Sequence, residues 1–241
     1  MKVKPYEKLS EVYDGLMKNV DYQNWSKYIL DIAEEHISDD PRILELAAGN
    51  CKMAQLITRR FKNFIGTDIS FEMLKSSENN KLNKICCDMT ELPLKAKFDF
   101  VFSAFDSVNY ILKQKIFLKL FQEVHLILND NGIFTFDVSL EKNSLKFLIG
   151  KTTKDHYNGF SFTRINKYNK INRIHSNRFI ISNNLDSVVQ EVHRQKIYDI
   201  RTYFKLGEKA GFNIEECYEC FTFSDINPES ERAQFVMRKV S

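Results

Sequence analysis

Apolar runs of strand length alternate with amphipathic stretches from about residue 20 to residue 140. RILEL (42–46) follows Asp-Asp-Pro and leads into CKMAQLITRRF, whose apolar spacing is helical. NFIGTDI (63–69) is a second strand-like run, followed by helix-like FEMLKSSENN. NKICCDM (83–89) and FDFVFSAF (98–105) are the third and fourth runs. Phe117, Leu120, Phe121, Val124 and Leu128 then fall at i, i+3, i+4, i+7 and i+11, a single apolar stripe on one helix face. Asn131-Gly132 is the expected stop of that helix, and GIFTFDV (132–138) the fifth strand.

Strands that alternate with helices predict a parallel sheet covered on both faces, and right-handed crossovers make it doubly wound. The period changes after residue 145. SFTRINKY, RIHSNRFIIS and SVVQEVHRQKIY are β-rich runs broken by Asn-rich turns, the pattern of an antiparallel insertion. DIRTYFKLGEKAGF then returns to a helix, and NIEECYECFTF and RAQFVMRKV supply two final strands. The expected organisation is a helical N-terminal segment plus α/β core over 1–145, an antiparallel cap over 146–198, and a last helix and two strands over 199–241. The expected fold is α/β, a doubly wound, mostly parallel, seven-stranded sheet with a β insertion as lid.

Composition narrows the class. Hydrophobic residues are 43% and charged residues 28%, the balance of a soluble globular chain of 241 residues. No apolar run approaches a membrane span, and MKVKPYEKLSEVYDGLM has no signal-like apolar core, so cytoplasmic residence is expected. Five cysteines suggest a reducing compartment and no disulfide framework; Cys217 and Cys220 form a C-x-x-C without a second pair or a nearby histidine. His36, His125, His156 and His175 do not cluster, and no metal site is expected. The net charge of +3 is uneven: between Lys146 and Leu185, eight Lys/Arg stand against one acid, Asp155.

In doubly wound sheets, ligands bind at the carboxyl ends of the strands. Here those ends are acidic. Glu45 precedes a glycine-poor turn, Ala47-Ala48-Gly49. Asp68 ends the second strand, about 20 residues further on, where an acid takes the two ribose hydroxyls of a nucleoside. Asp88 ends the third and can accept from an adenine amino group; Asp106 follows the fourth. One adenosine-containing ligand would use all of the first three.

On these motifs the chain resembles the class I S-adenosylmethionine-dependent methyltransferases. ELAAGNC (45–51) corresponds to their first motif, usually [DE]-x-G-x-G-x-G. GTDISFEML (66–74) matches the second, CDMTELPL (87–94) the third, and FDFVFSAFDSVNYI (98–111) the fourth. YDGLM, DYQNWSKYI, EVHRQKIY and TFSDINPESERAQFVMRK look like the small bacterial YqeM-like subgroup. The resemblance implies S-adenosylmethionine as cofactor, which brings an electrophilic methyl group and no pyrophosphate, and so disfavours a dehydrogenase. It implies contacts from Glu45, Ala47 and Gly49 to the methionine part, from Asp68 to the ribose, and from Ile69, Met73, Asp88 and Met89 to the adenine. Phe105 would sit beside the methionine segment, and Tyr13 and Trp25, in an N-terminal helical segment that folds over the cofactor, would offer aromatic faces to the sulfonium. Ala47 is tolerable if its φ is negative, and Cys51 threatens strand–helix packing more than cofactor contact. The loop is read as a working variant.

Tyr13, Asp106 and His193 are the candidate catalytic residues, with His193 a candidate base on the cap. Asn109, Tyr110 and Arg194 are the candidate acceptor contacts. No Asn-Pro-Pro-aromatic tetrapeptide or Pro-Cys follows the fourth strand, which argues against methylation of bases in nucleic acid. The favoured acceptor is therefore a small molecule, methylated on N or O by a monomer or dimer with no membrane partner. Two alternatives remain at this stage. One is an RNA- or ribosome-linked methyltransferase, using the basic stretch with its interleaved Tyr157, Phe160, Phe162, Tyr168 and Phe179. The other is a non-catalytic binder that keeps the fold, suggested by the lost loop glycines.

Overall fold

The structure, a computed structural model, describes residues 2–37, 40–78, 81–183 and 188–240. Seven strands form one sheet: β1 (Ile43–Leu46), β2 (Phe64–Asp68), β3 (Asn83–Cys86), β4 (Phe98–Ser103), β5 (Leu128–Ser139), β10 (Phe212–Glu219) and β11 (Arg232–Lys239). Their order is β10-β11-β5-β4-β1-β2-β3. β3, β2, β1, β4 and β5 run parallel, whereas β11 is antiparallel to both β5 and β10. The order reverses between β1 and β4, paired from Ile43↔Phe100 to Leu46↔Ser103, so a crevice opens beyond Leu46 and Ser103.

Helices cover both faces. α2 (Tyr22–His36) and α3 (Lys52–Ile57) bury Ile29, Ile32, Ala33, Met53, Ala54 and Ile57 against Phe100 and Phe102. On the other face, α5 (Gln114–Ile127) and α7 (Ile200–Lys209) pack on Phe134, Phe136 and Phe235. The stripe Phe117, Leu120, Phe121 and Val124 is fully buried there, as its spacing requires. Short α1 (Tyr13–Leu16), α4 (Phe71–Lys75) and α6 (Glu141–Leu145) complete the helices discussed here. Among the described residues no helix is long and apolar enough to cross a membrane.

Three element boundaries differ from the sequence pattern. α5 ends at Ile127, and Leu128 already pairs with Phe98 in β5. Asn131-Gly132 therefore lies within β5, where the register shifts; Asn131 takes φ 63°, and a Cβ on Gly132 would meet the Asn129 carbonyl at 2.9 Å. Lys239 Nζ and Arg238 Nη1 hold the Leu128 and Asn131 carbonyls across this irregularity. α3 stops at Ile57 because Thr58 Oγ1 donates back to the Ala54 carbonyl and Lys62 Nζ donates to the Thr58 and Arg59 carbonyls. α4 is closed by Ser76, whose N–H donates to Glu72, and positions 79 and 80 of the FEMLKSSENN run lie outside the described residues.

The second sheet is antiparallel, in the order β6 (Lys151–Tyr157), β7 (Phe160–Asn169), β8 (Ile174–Asn183) and β9 (Val188–Lys196). It lies in sequence between α6 and α7. Asn158 and Gly159, both at positive φ, form the tight turn that joins β6 to β7. Phe162, Phe179 and Ile181 pack on Leu9 and Val12 of the N-terminal segment. The aromatic residues interleaved with the basic stretch thus face inward. Phe162, Tyr168 and Phe179 are buried, and Tyr157 and Phe160 are half-buried against the same cluster. Of the basic stretch 146–185, positions 184 and 185 lie outside the described residues.

Candidate active site

β1 ends at Leu46, and the turn that follows is built on three left-handed residues: Ala47 (φ 54°), Gly49 (φ 57°) and Cys51 (φ 60°). The expectation that Ala47 avoids positive φ is corrected. The loop keeps its glycine-type backbone although two of its glycines are gone. It is held by Ala48 N–H on the Thr67 carbonyl (2.8 Å), Gly49 N–H on Asp68 Oδ2 (2.8 Å) and Cys51 N–H on the Ala48 carbonyl (2.8 Å). Cys51 is fully buried, and the packing problem it raises is solved from β2. A Cβ on Gly66 would stand 3.3 Å from Ala48 Cβ and 3.6 Å from Cys51 Sγ, so the bare Gly66 makes the room that Cys51 fills. A left-handed Ala costs about 1–2 kcal/mol, and the extra unfolded-state freedom of Gly returns about 0.4–1. Ala47→Gly is thus expected to stabilise the protein by about 0.5 kcal/mol. A urea midpoint that falls instead would show that the Ala47 Cβ makes a contact worth more than the strain.

Register places the three acidic tips side by side: Leu46 pairs with Thr67, and Asp68 with Cys86. Glu45 is 2% exposed and its Oε2 has no hydrogen-bond partner. Burial, and then the charge of Asp68, push its carboxyl well above the usual range. Asp68 accepts from Gly49 N–H and from Ser70 N–H (2.7 Å); burial raises it, and these N–H groups hold it back. Asp88 Oδ1 takes the Thr90 N–H and hydroxyl, both at 2.8 Å, which shapes the turn after β3. Met73 is buried with its Cε where a Gly49 Cβ would reach it at 3.2 Å, Met89 is half-buried, and Ile69 is 67% exposed.

Beyond β4 the chain again turns left-handed, at Phe105 (φ 61°) and Asp106 (φ 49°). Phe105 lies against Trp25 (centroids 4.5 Å apart) and Tyr22 (5.5 Å). Asp106 is held from three sides. Its N–H donates to Asp137 Oδ2 (2.8 Å), and its carboxylate receives Arg232 Nη2 (2.8 Å) and Gln195 Nε2. Arg232 also bonds Asp137 and lies 5.6 Å from the Trp25 ring centre.

A buried acid with a vacant oxygen, a second acid one strand away and an aromatic pair across the switch point suit a cationic, nucleoside-bearing ligand. Residues 43–132 match the family described as methyltransferase domain. The YqeM protein of Bacillus subtilis (strain 168) is 26% identical over 243 residues, covering 97% of each chain. The chain thus carries a methyltransferase domain and is similar along its length to a class I S-adenosylmethionine-dependent methyltransferase. Two solved methyltransferases share the fold. A Clostridium acetobutylicum ATCC 824 S-adenosylmethionine-dependent methyltransferase has a TM-score of 0.83 at 24% identity, covering 98% of this chain and 99% of that one. CalS10, an amino pentose methyltransferase from Micromonospora echinaspora solved with S-adenosylmethionine bound, has a TM-score of 0.75 at 15% identity, covering 95% and 97%.

S-adenosylmethionine is the methyltransferase's cofactor, and the loop fits it. The unpartnered Glu45 oxygen can take an ammonium, and the bare Gly49 leaves the space that a side chain would occupy. The region after β4 and along β9 is more crowded than the sequence suggests. His193 is 1% exposed, with Nε2 on Glu191 Oε2 (3.0 Å) and Nδ1 on Tyr110 Oη (3.1 Å). Tyr110 in turn meets Tyr6 Oη at 2.8 Å. Burial alone would raise Glu191, but His193 and the N–H groups of Tyr6, Lys8 and Leu9 hold it below the usual carboxylate range. An ionised Glu191 can only accept, so His193 donates to it from Nε2. Tyr13 lies edge-on to Tyr6, at 6.1 Å, and burial raises its hydroxyl well above the usual range.

Two residues singled out as acceptor contacts point elsewhere. Asn109 is fully buried and pins the core, accepting from Ser139 N–H (3.0 Å) and donating to the Lys196 carbonyl (2.9 Å). Arg194 is exposed, on the face of β9 opposite His193 and Gln195. Tyr6, Glu191, Gln195, Asp137 and Arg232 were not marked by the sequence reading. The one signal available was alternation: in EVHRQ, Glu191, His193 and Gln195 share a face.

Proposed function

We propose that this methyltransferase transfers the methyl group of S-adenosylmethionine to a nitrogen or oxygen of a small-molecule acceptor. The observation that carries the reading is Glu45, a buried carboxylate with an unpartnered oxygen beside Asp68 at the switch point. Glu45 takes the methionine ammonium, Asp68 the ribose hydroxyls, and Asp88 with Met89 the adenine edge, while Ile69 and Met73 flank the ring. Ala47 and Gly49 carry the backbone along the methionine chain. Phe105, backed by Trp25, offers an aromatic face to positive charge and excludes water. S-adenosylmethionine bound there would supply an electrophilic methyl group on sulfur, open to displacement by an acceptor heteroatom whose proton would pass to solvent. The protein's part is alignment, with the Tyr6, Tyr13 and Tyr110 hydroxyls as the groups that meet the acceptor. His193 and Glu191 fix the Tyr110 hydroxyl from behind. Asp106, bound by Arg232 and Gln195, holds the turn in place.

Residues 146–198 are the cap over the acceptor side. A closed site of this kind favours a compact acceptor, and the fold neighbour CalS10 acts on an amino pentose. The buried cap aromatics remove the stacking surface that an RNA substrate would use.

Calorimetric titration with S-adenosylhomocysteine tests the reading. In the free protein the Glu45 carboxyl is raised; pairing with an ammonium favours its ionised form. Binding therefore releases a proton, and affinity rises with pH between the bound and free pKa values, then levels off. Binding heats in two buffers of different ionisation enthalpy should report that proton, and Glu45→Gln should abolish it. A folded protein that binds no S-adenosylhomocysteine would end the proposal.

A further inference from the structure

Beside the Phe162–Phe179–Ile181 cluster, the rest of the inner face of the second sheet is polar, which is unusual for a buried surface. Register assembles it from three strands: Arg164 opposite Phe179, Asn166 opposite Asn177, and Tyr168 opposite His175, with His193 beside Asn177 and Gln195 beside His175. Asn166, His175 and Asn177 are buried, and Arg164 is half-buried. This face turns toward the tip of β4, because Gln195 bonds Asp106 and His193 bonds Tyr110. Two of its polar atoms have no partner: Asn166 Oδ1 and His175 Nε2. Ser144 Oγ occupies His175 Nδ1 at 3.0 Å, and burial lowers the imidazole to about 4, so it is neutral at physiological pH.

The charges on this face are accounted for one by one. Asp106 is paired with Arg232, and Glu191 is hydrogen-bonded by His193 and three backbone N–H groups. Arg164 has no such partner. Its Nε donates to Asn177 Oδ1 at 3.0 Å and its guanidinium lies 5.8 Å from the Phe179 ring centre, but among the described residues it forms no ion pair. A cation–π contact contributes about 0.5–2 kcal/mol, which does not replace the hydration of a guanidinium. Burial accordingly depresses Arg164, and the groups that offset this are Tyr110, Asp106 and Tyr6, those of the acceptor side.

We propose that Arg164 is the docking point for a carboxylate on the methyl acceptor, so that the substrate is a small carboxylic acid bearing the nitrogen or oxygen to be methylated. The inference rests on the methyltransferase reading and adds the substrate class. A planar guanidinium binds a carboxylate through two parallel N–H donors, and the amides of Asn166 and Asn177 lie beside it to complete the contact. A guanidinium that pairs with no carboxylate, flanked by two amides and a neutral imidazole, suits one incoming carboxylate. A diphosphate would bring more negative charge than this face can neutralise, so a nucleotide-activated acceptor is disfavoured.

Benzoate, benzamide and phenyl phosphate, titrated into protein saturated with S-adenosylhomocysteine, separate the outcomes. Benzoate should bind at least tenfold more tightly than its neutral isostere benzamide, and more tightly than phenyl phosphate. Arg164→Gln should erase the preference for benzoate, and Arg164→Lys should keep part of it. Because the charge is unpaired without ligand, Arg164→Gln should also melt no lower than the wild type. Equal binding of benzoate and benzamide, tighter binding of phenyl phosphate, or a large loss of stability in Arg164→Gln would each overturn the proposal. Failure to bind S-adenosylhomocysteine itself would instead strike the methyltransferase reading beneath it.

Discussion

Asp68→Ala is expected to weaken S-adenosylhomocysteine binding by at least about 10²-fold while leaving the fold intact. A hydrogen bond to a charged group contributes about 1.5–3 kcal/mol, and two ribose hydroxyls on one carboxylate therefore account for about 3–6 kcal/mol. At about 1.4 kcal/mol per decade, that is two to four orders of magnitude in affinity. The same side chain also accepts the Gly49 and Ser70 N–H groups, so the substitution also loosens the turn after β1. Asp68→Asn separates the two effects, since its amide oxygen can still accept one N–H while losing the charge. Titration calorimetry with parallel thermal melts reads both. An Asp68→Ala protein that binds within threefold of wild type would remove Asp68 from the cofactor site.

The parts of this site legible in the sequence are those written locally. Each core strand is a short apolar run, and a strand tip is the residue at which that run stops, so Glu45, Asp68, Asp88 and Phe105 could be placed by counting. The left-handed backbone of Ala47 was not legible, because the residue types at 47 and 51 argue against the conformation that β2 imposes on them. Gly66 is what permits Cys51, and the two lie in different elements, joined only by strand pairing. The Asn131-Gly132 pair was taken for a helix stop because its turn chemistry is the same inside an irregular strand. Arg194 illustrates a different loss. Period-two alternation already separates it from His193, and reading the two as a pair ignored the geometry that defines a strand. Groups such as Tyr6–Glu191 and Asp106–Asp137–Arg232 bring together residues far apart in the chain, and no spacing rule reaches that far.

The last of these groups carries the second large effect. Arg232→Met is expected to cost about 3–5 kcal/mol, the usual result of stripping the partner from a buried charge. Arg232 pairs with two carboxylates, Asp106 and Asp137, and Asp137 is fully enclosed, with Oδ1 already lacking a partner. Burial pushes Asp137 up to about 6 even with the guanidinium in place. Without Arg232 the carboxyl rises further, and the sign of the pH dependence follows. An acid whose folded pKa is raised costs nothing below its unfolded value, near 4, and its full penalty above its folded value. The deficit of Arg232→Met should therefore be small near pH 4 and grow through pH 6 and beyond. At about 2–4 °C per kcal/mol for a chain of this size, the neutral-pH melting temperature should fall by roughly 6–20 °C. Adding Asp106→Asn should recover part of the loss, since it removes one of the two stranded charges. Urea melts at pH 5 and pH 8 decide the matter: a deficit that is small, or equal at both values, would mean that the three groups do not share a charge. The consequence reaches the cofactor side, because Arg232 also lies by the Trp25 ring that backs Phe105. A turn held at positive φ in both Phe105 and Asp106 relaxes when its anchor is cut. Some loss of S-adenosylhomocysteine affinity should thus accompany the loss of stability, although Arg232 is assigned no contact with the ligand.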